Sequence, residues 1–214
     1  MRYYISDLHF YHESLLTKMD CRGFASCEEM HEYIIQRWNA KVRAQDEVVI
    51  LGDVSMERGK LTSDILSRLN GRLYLIQGNH DVYLKDRRFD SSRFEWIKEY
   101  AELHDNKRKI ILSHYPIFCY HGQYRRDKNG QPKTYMLYGH VHDTQDEVLV
   151  NEFIRKTRNT WHLGVADKEA RPIPCQMINC FCMFSDYTPL SLEEWIAVDE
   201  ARRKKMWENE EKQD

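Results

Sequence analysis

Five short apolar runs constrain this chain more than any other feature. They are YYIS (3–6), VVILG (48–52), LYLIQG (73–78), KIILSH (109–114) and TYMLYGH (134–140). Each is rich in β-formers and too short to stand as an independent helix, so each reads as a strand. Every run hands over to a carboxylate, an amide or an imidazole: Asp7-Leu8-His9, Asp53, Asn79-His80-Asp81, His114 and His140-Val141-His142. Helical patterns lie between some of them. SCEEMHEYIIQRWNAKV opens with Ser26 and has Glu29 three residues later, the pattern of a capping box, and its Met30, Ile34, Trp38 and Val42 form one helical stripe. LTSDILSRLNG repeats the pattern, with Gly71 as its stop. Strands alternating with helices predict an α/β fold. Ligands of open α/β sheets bind outside the carboxyl ends of the strands, so the five polar clusters are expected on one rim.

The spacing within the clusters carries chemistry. Asp7 and His9 are two residues apart, as are His140 and His142, so at an extended strand end each pair points to one side. The residues between them, Leu8 and Val141, are apolar. Gly52, Gly78 and Gly139 precede polar residues, where glycine permits a sharp turn. Asp7, His9, Asp53, Asn79, His114, His140 and His142 are more ligands than one ion needs. They suit two ions about 3.5–4 Å apart that share a carboxylate, a pair able to activate water and clamp phosphoryl oxygens. Imidazole, carboxylate and amide donors without thiolate favour Mn, Fe or Zn over Ca or a structural zinc.

The ordered series D-L-H, G-D, G-N-H-D, S-H-Y-P and G-H-V-H resembles the calcineurin-like metallophosphoesterase superfamily across residues 3–142. That resemblance implies a four-layer α/β/β/α sandwich, two central sheets flanked by helices, around a dinuclear centre. It implies one divalent ion held by Asp7, His9, Asp53 and His142 and a second by Asp53, Asn79, His114 and His140, with Asp53 bridging. His80 would protonate the leaving group or stabilise the phosphate, oriented by Asp81. SDLHFYHES, FASCEEM and YTPLSLEEW are similar to a bacterial and phage branch of small predicted phosphoesterases, which gives no substrate. His12, near the first motif, is a candidate substrate contact.

Length and composition bound the rest. The 214 residues fit one domain spanning 1–214. With 42% hydrophobic and 31% charged residues the chain has an ordinary globular composition. A net charge of -2 disfavours a strongly basic nucleic-acid binder. No apolar stretch approaches the roughly 18 residues of a membrane span, and the N-terminus lacks the apolar core of a signal peptide; a cytoplasmic protein is expected. The six cysteines form no C-x-x-C pair and read as reduced packing residues. Residues 143–178 read as an insertion, a helix over TQDEVLVNEFIRKTRN followed by a loop with Pro172 and Pro174. CQMINCFCMF reads as the last strand, and SLEEWIAVDEARRKKMWENE as a helix with a capping box at Ser191 and Glu194 and a solvated basic run, Arg202 to Lys205.

The expected activity is metal-dependent hydrolysis of phosphate mono- or diesters, by attack of a metal-bridging hydroxide on a small phosphate ester or nucleotide. The alternatives are a non-catalytic phosphate-ligand-binding protein on the same fold and a nuclease subunit. A binding protein derived from an enzyme should have lost ligands, and all seven are present. YHGQYRRDKNGQPK (120–133) joins the His114 strand to the His140 strand, and Asn129-Gly130 is a turn signal. It is expected to form a hairpin over the rim, with Arg125 and Arg126 on substrate phosphate.

Overall fold

The computed structural model describes residues 1–164 and 169–210. One sheet has strands β1 (Arg2–Ile5), β2 (Glu47–Ile50), β3 (Arg72–Ile76) and β4 (Phe94–Lys98), hydrogen-bonded in that order and all parallel. The other contains β5 (Tyr100–Asp105), β6 (Arg108–Ser113), β7 (Thr134–Tyr138) and β10 (Met177–Asn179), ordered β10-β7-β6-β5, with only β5 antiparallel. Helices α1 (Cys27–Lys41) and α2 (Gly59–Ser67) follow β1 and β2; α3 (Gln145–Arg158) follows β7, and α4 (Leu192–Glu210) closes the described chain. A two-stranded ladder, β8 (Trp161–His162) with β9 (Arg171–Pro172), lies after α3.

The period-2 alternation of side chains builds the layers. Val48 and Ile50 of β2 pack with Met30, Ile34 and Trp38 of α1 and Ile65 of α2. Val49 and Leu51, on the opposite face, pack with Ile110 and Leu112 of β6 and Leu137 of β7. On the far side of the second sheet, Ile111, Met136 and Tyr138 meet Val150 and Ile154 of α3. The result is the expected α/β/β/α sandwich, in which α3 supplies the fourth layer. Strands covered on both faces need apolar residues at every position, which is why these segments read as unbroken apolar runs.

Sequence pattern did not reveal β4 and β5. Both are edge strands, and exposed Glu95 and Lys98 on β4 and Glu102 and His104 on β5 break up their apolar content. Charge on an edge strand blocks pairing with another chain. The last strand is also shorter than expected. After Asn179 the chain crosses to the first sheet, where Ser6 N–H donates to Cys180 O at 2.8 Å and Cys182 N–H to Ser6 O at 3.1 Å. A 3-10 turn, Cys182–Ser185, follows.

Of the two predicted capping boxes, the one at Ser191 and Glu194 forms in full and the one at Ser26 and Glu29 forms by half. Glu29 N–H donates to Ser26 Oγ at 3.2 Å, although the Glu29 carboxylate takes the N–H of Ala25 rather than that of Ser26. Ser191 N–H donates to Glu194 Oε2 at 2.8 Å. Helix α4 then seals the edge shared by the two sheets: Trp195 Nε1 donates to Tyr4 O and Arg203 Nη2 to Met177 O. Arg203 is therefore buried against Asp199 rather than part of a solvated face. All six cysteines are free thiols, and no helix among the described residues is long and apolar enough to cross a membrane.

Candidate metal centre

The loop after β1 runs beside the loop after β2, with Asp7 N–H on Gly52 O at 3.1 Å and His9 N–H on Asp53 O at 2.9 Å. Asp7, His9, Asp53, His140 and His142 all adopt left-handed backbone, with φ of 58°, 49°, 55°, 71° and 48°. This corrects the expectation of extended strand ends. Leu8 and Val141 do face the core, but a left-handed turn at the residues flanking them, rather than the β pleat, turns the polar side chains to the rim. Such backbone is costly outside glycine, and it persists where surrounding structure over-determines it, chiefly at functional sites. The neighbouring glycines are needed for room: a Cβ on Gly139 would stand 2.5 Å from Asp7 Oδ2, and one on Gly78 would overlap the Asp53 carboxylate.

Two donor groups result, Asp7 with His9 and His142, and Asp53 with His114 and His140; within each, the ligand atoms lie within 4.8 Å of one another. His9 Nε2 and His142 Nε2 are 3.1 Å apart. Asn79 Oδ1 joins the second group, 3.0 Å from His114 Nε2 and 2.9 Å from His140 Nδ1. Asp53 links the two groups. Its Oδ1 accepts the His80 N–H at 2.8 Å, while its Oδ2 lies 3.5 Å from His9 Nε2 and 3.4 Å from His114 Nε2. His114 Nδ1 is tied to Leu51 O at 2.8 Å, which frees Nε2 as a ligand. Burial pushes His9 well below its ordinary pKa against the pull of Asp53, which keeps it in the neutral form a ligand needs. Burial opposes charge on Asp53 and His114 as well, yet their mutual attraction holds Asp53 down to about 2 and His114 up to about 9. Lone pairs of carboxylates, imidazoles and the Asn79 amide oxygen crowd one rim, an arrangement that fits cations. The mixed imidazole, carboxylate and amide donor set fits two divalent ions.

His80 is half-buried and outside both donor groups; its ring centroid lies 5.4 Å from that of His9 and 6.3 Å from that of His12. His12 Nδ1 is 3.4 Å from His9 Nδ1, so His12 stands at the site. The predicted role of Asp81 needs correction. Its carboxylate accepts the N–H groups of Gly78 at 2.7 Å, Val54 at 2.8 Å and Asp53 at 3.0 Å. With both oxygens committed to backbone, Asp81 braces the two loops that carry Asp53 and Asn79 instead of orienting the His80 ring. Burial raises it to about 6 despite those three amides.

Residues 3–163 match the calcineurin-like phosphoesterase superfamily domain. The chain belongs to that superfamily. An uncharacterized protein of Methanocaldococcus jannaschii is 31% identical over 179 residues, covering 82% of this chain and 88% of its own length. The Gene 66 protein of a Mycobacterium phage is 28% identical over 160 residues, covering 65% of this chain and 77% of its own. A protein of unknown function from Aquifex aeolicus shares the fold, with a TM-score of 0.59 at 22% identity over 92% of this chain and 98% of that one.

Two residues of this phosphoesterase-family centre escaped sequence reasoning. Asp20 Oδ1 lies 2.7 Å from His142 Nδ1, and Arg22 pairs with Asp20 at 2.9 Å. They sit in the irregular stretch MDCRGF, which shows neither motif nor periodicity. The structure also relocates Arg125 and Arg126. Strands β6 and β7 are parallel, so the chain must return to the start of β7, and Thr134 pairs with Lys109. Lys109 precedes His114 by five residues, roughly 16 Å along a strand. Arg125 O accepts the Lys133 N–H at 3.0 Å, beside Thr134. Arg126 donates to Gly130 O at 2.7 Å and also to Pro172 O. The turn at Asn129-Gly130 forms, with Gly130 at φ 80°, but the loop lies at the end of the sheet opposite the metal rim.

Proposed function

We propose that this protein hydrolyses phosphate esters at a two-metal centre. The observation that carries this reading is the placement of Asp53 Oδ2 between the two donor groups. One oxygen facing both groups is what a bridging carboxylate needs. Bound there, two divalent ions (Mn, Fe or Zn by donor chemistry) supply Lewis acidity to water and to phosphoryl oxygens.

The chain's own residues do the rest. Asp7, His9 and His142 hold one position; Asn79, His114 and His140 hold the other; Asp53 joins them. The backbone N–H groups of His80 and His140, on the Asp53 and Asp7 carboxylates, fix the direction of those ligands. His80, next to the donor groups but not within them, would give a proton to the departing oxygen. His12, whose ring centroid lies 6.3 Å from that of His80, is a candidate contact for the ester. The substrate in this reading is a small phosphate mono- or diester, such as a nucleotide, acted on in the cytoplasm.

A metal-supplemented screen of phosphate monoesters, diesters and nucleotides tests the reading, with Asp53→Ala as the control. Turnover should require added divalent metal and vanish in the variant. Wild-type protein that binds phosphate esters but turns none of them over with any metal points to the non-catalytic alternative.

A further inference from the structure

The two donor groups are not equivalent. Asp7, His9 and His142 are all buried, whereas His140 is half-buried and Asn79 exposed in the other group. The imidazoles are also backed differently. His114 Nδ1 rests on a neutral acceptor, Leu51 O. His142 Nδ1 rests on a carboxylate, Asp20 Oδ1, at 2.7 Å. Asp20 is itself held: its Oδ2 accepts from Arg22 Nε at 2.9 Å and from Nη2 at 2.9 Å, and both side chains are at most 2% exposed. Arg22 also donates to the first ligand loop, from Nη1 to Leu8 O at 2.7 Å and from Nη2 to Asp7 O at 2.9 Å, and Nη1 further meets Met30 Sδ at 3.8 Å. One guanidinium therefore ties the His142 backing carboxylate to the left-handed turn that presents Asp7 and His9.

We propose that Asp20 and Arg22 are positioning residues that make the Asp7/His9/His142 position the tighter of the two metal positions, an inference that rests on the two-metal reading above. Arg22 cannot give up its proton, so it holds Asp20 as a fixed acceptor. A fixed acceptor on Nδ1 selects the tautomer with hydrogen on Nδ1 and leaves the Nε2 lone pair toward the ion, 3.7 Å from Asp7 Oδ1. A carboxylate there also raises the donor strength of the imidazole, and loss of such a partner typically weakens metal binding about 10–100-fold. Nothing comparable backs His114, so the Asp53/Asn79/His114/His140 position fills second and exchanges more readily.

The test is a Mn(II) titration of metal-stripped full-length protein, followed by electron paramagnetic resonance. Wild type should show one tight and one weaker ion. Asp20→Asn keeps the side-chain volume and an acceptor for Arg22 but removes the charge. It should weaken the tight class about 10–100-fold and leave the weaker class within about two-fold, while His140→Ala should affect the weaker class alone. A second readout needs no metal: long-range proton–nitrogen NMR of the stripped wild type should show His142 protonated at Nδ1. The same spectrum reports whether the variant remains folded. If Asp20→Asn weakens both classes equally or neither, or if stripped wild type carries the His142 proton on Nε2, this inference is overturned while the two-metal reading stands. Fewer than two ions on folded wild type overturns both.

Discussion

Replacing Asp81 separates a structural brace from a catalytic partner. Asp81→Ala leaves three backbone N–H groups, those of Gly78, Asp53 and Val54, without their acceptor in a buried place. An unsatisfied buried donor costs about 1–3 kcal/mol. Burial pushes the Asp81 pKa up to about 6, so its charge already stands against a desolvation cost that the alanine removes. The low end of the range therefore applies, about 3 kcal/mol in all. For a chain of this size that corresponds to a fall in Tm of roughly 6–12 °C. Asp81→Asn should lose about half as much, because its single oxygen can still serve Gly78 and Asp53 while its amide meets the Val54 N–H donor to donor. Chemical denaturation of metal-stripped protein reads these differences without interference from metal-linked stability. Metal affinity should fall alongside, since the braced loops carry Asp53 and Asn79. The reasoning is refuted if Asp81→Ala keeps wild-type stability and metal content while kcat alone drops. That pattern would return Asp81 to the role of partner to His80.

The remaining predictions concern the division of labour at the rim. Asp53→Ala should abolish turnover and reduce bound metal below two ions per chain, as read by elemental analysis; full metal content in the variant would remove the bridge from the account. His80→Ala should retain both ions while kcat falls roughly 10²–10⁴-fold, and loss of metal as complete as in Asp53→Ala would make His80 a ligand instead. Arg125→Ala combined with Arg126→Ala should leave KM and kcat unchanged for every ester the protein turns over, since both arginines lie at the far end of the second sheet; a raised KM would show that the loop reaches the rim.

The sequence by itself determined the sandwich's central strands, its helices and the seven candidate ligands. A strand buried on both faces must be apolar throughout, and the abrupt change to Asp, Asn and His at its carboxyl end is visible without coordinates. The edge strands β4 and β5 were hidden because one face of each meets water, and their charges look like loop. Tertiary structure alone decided how the ligands converge. Left-handed backbone at Asp7, His9, Asp53, His140 and His142 is imposed by neighbouring loops, and spacing along the chain does not record it. It decided the work of Asp81, because the donors that claim its carboxylate include Asp53 and Val54, 28 and 27 residues away in the chain. It placed Asp20 against His142, 122 residues away, from a stretch with no pattern of its own. It moved Arg125 and Arg126 from the rim to the opposite end, because parallel pairing of β6 with β7 forces the connection to travel the length of the sheet. Local residue chemistry is written in the chain; contacts between loops from different strands depend on sheet order and strand direction, which emerge only when the whole chain packs.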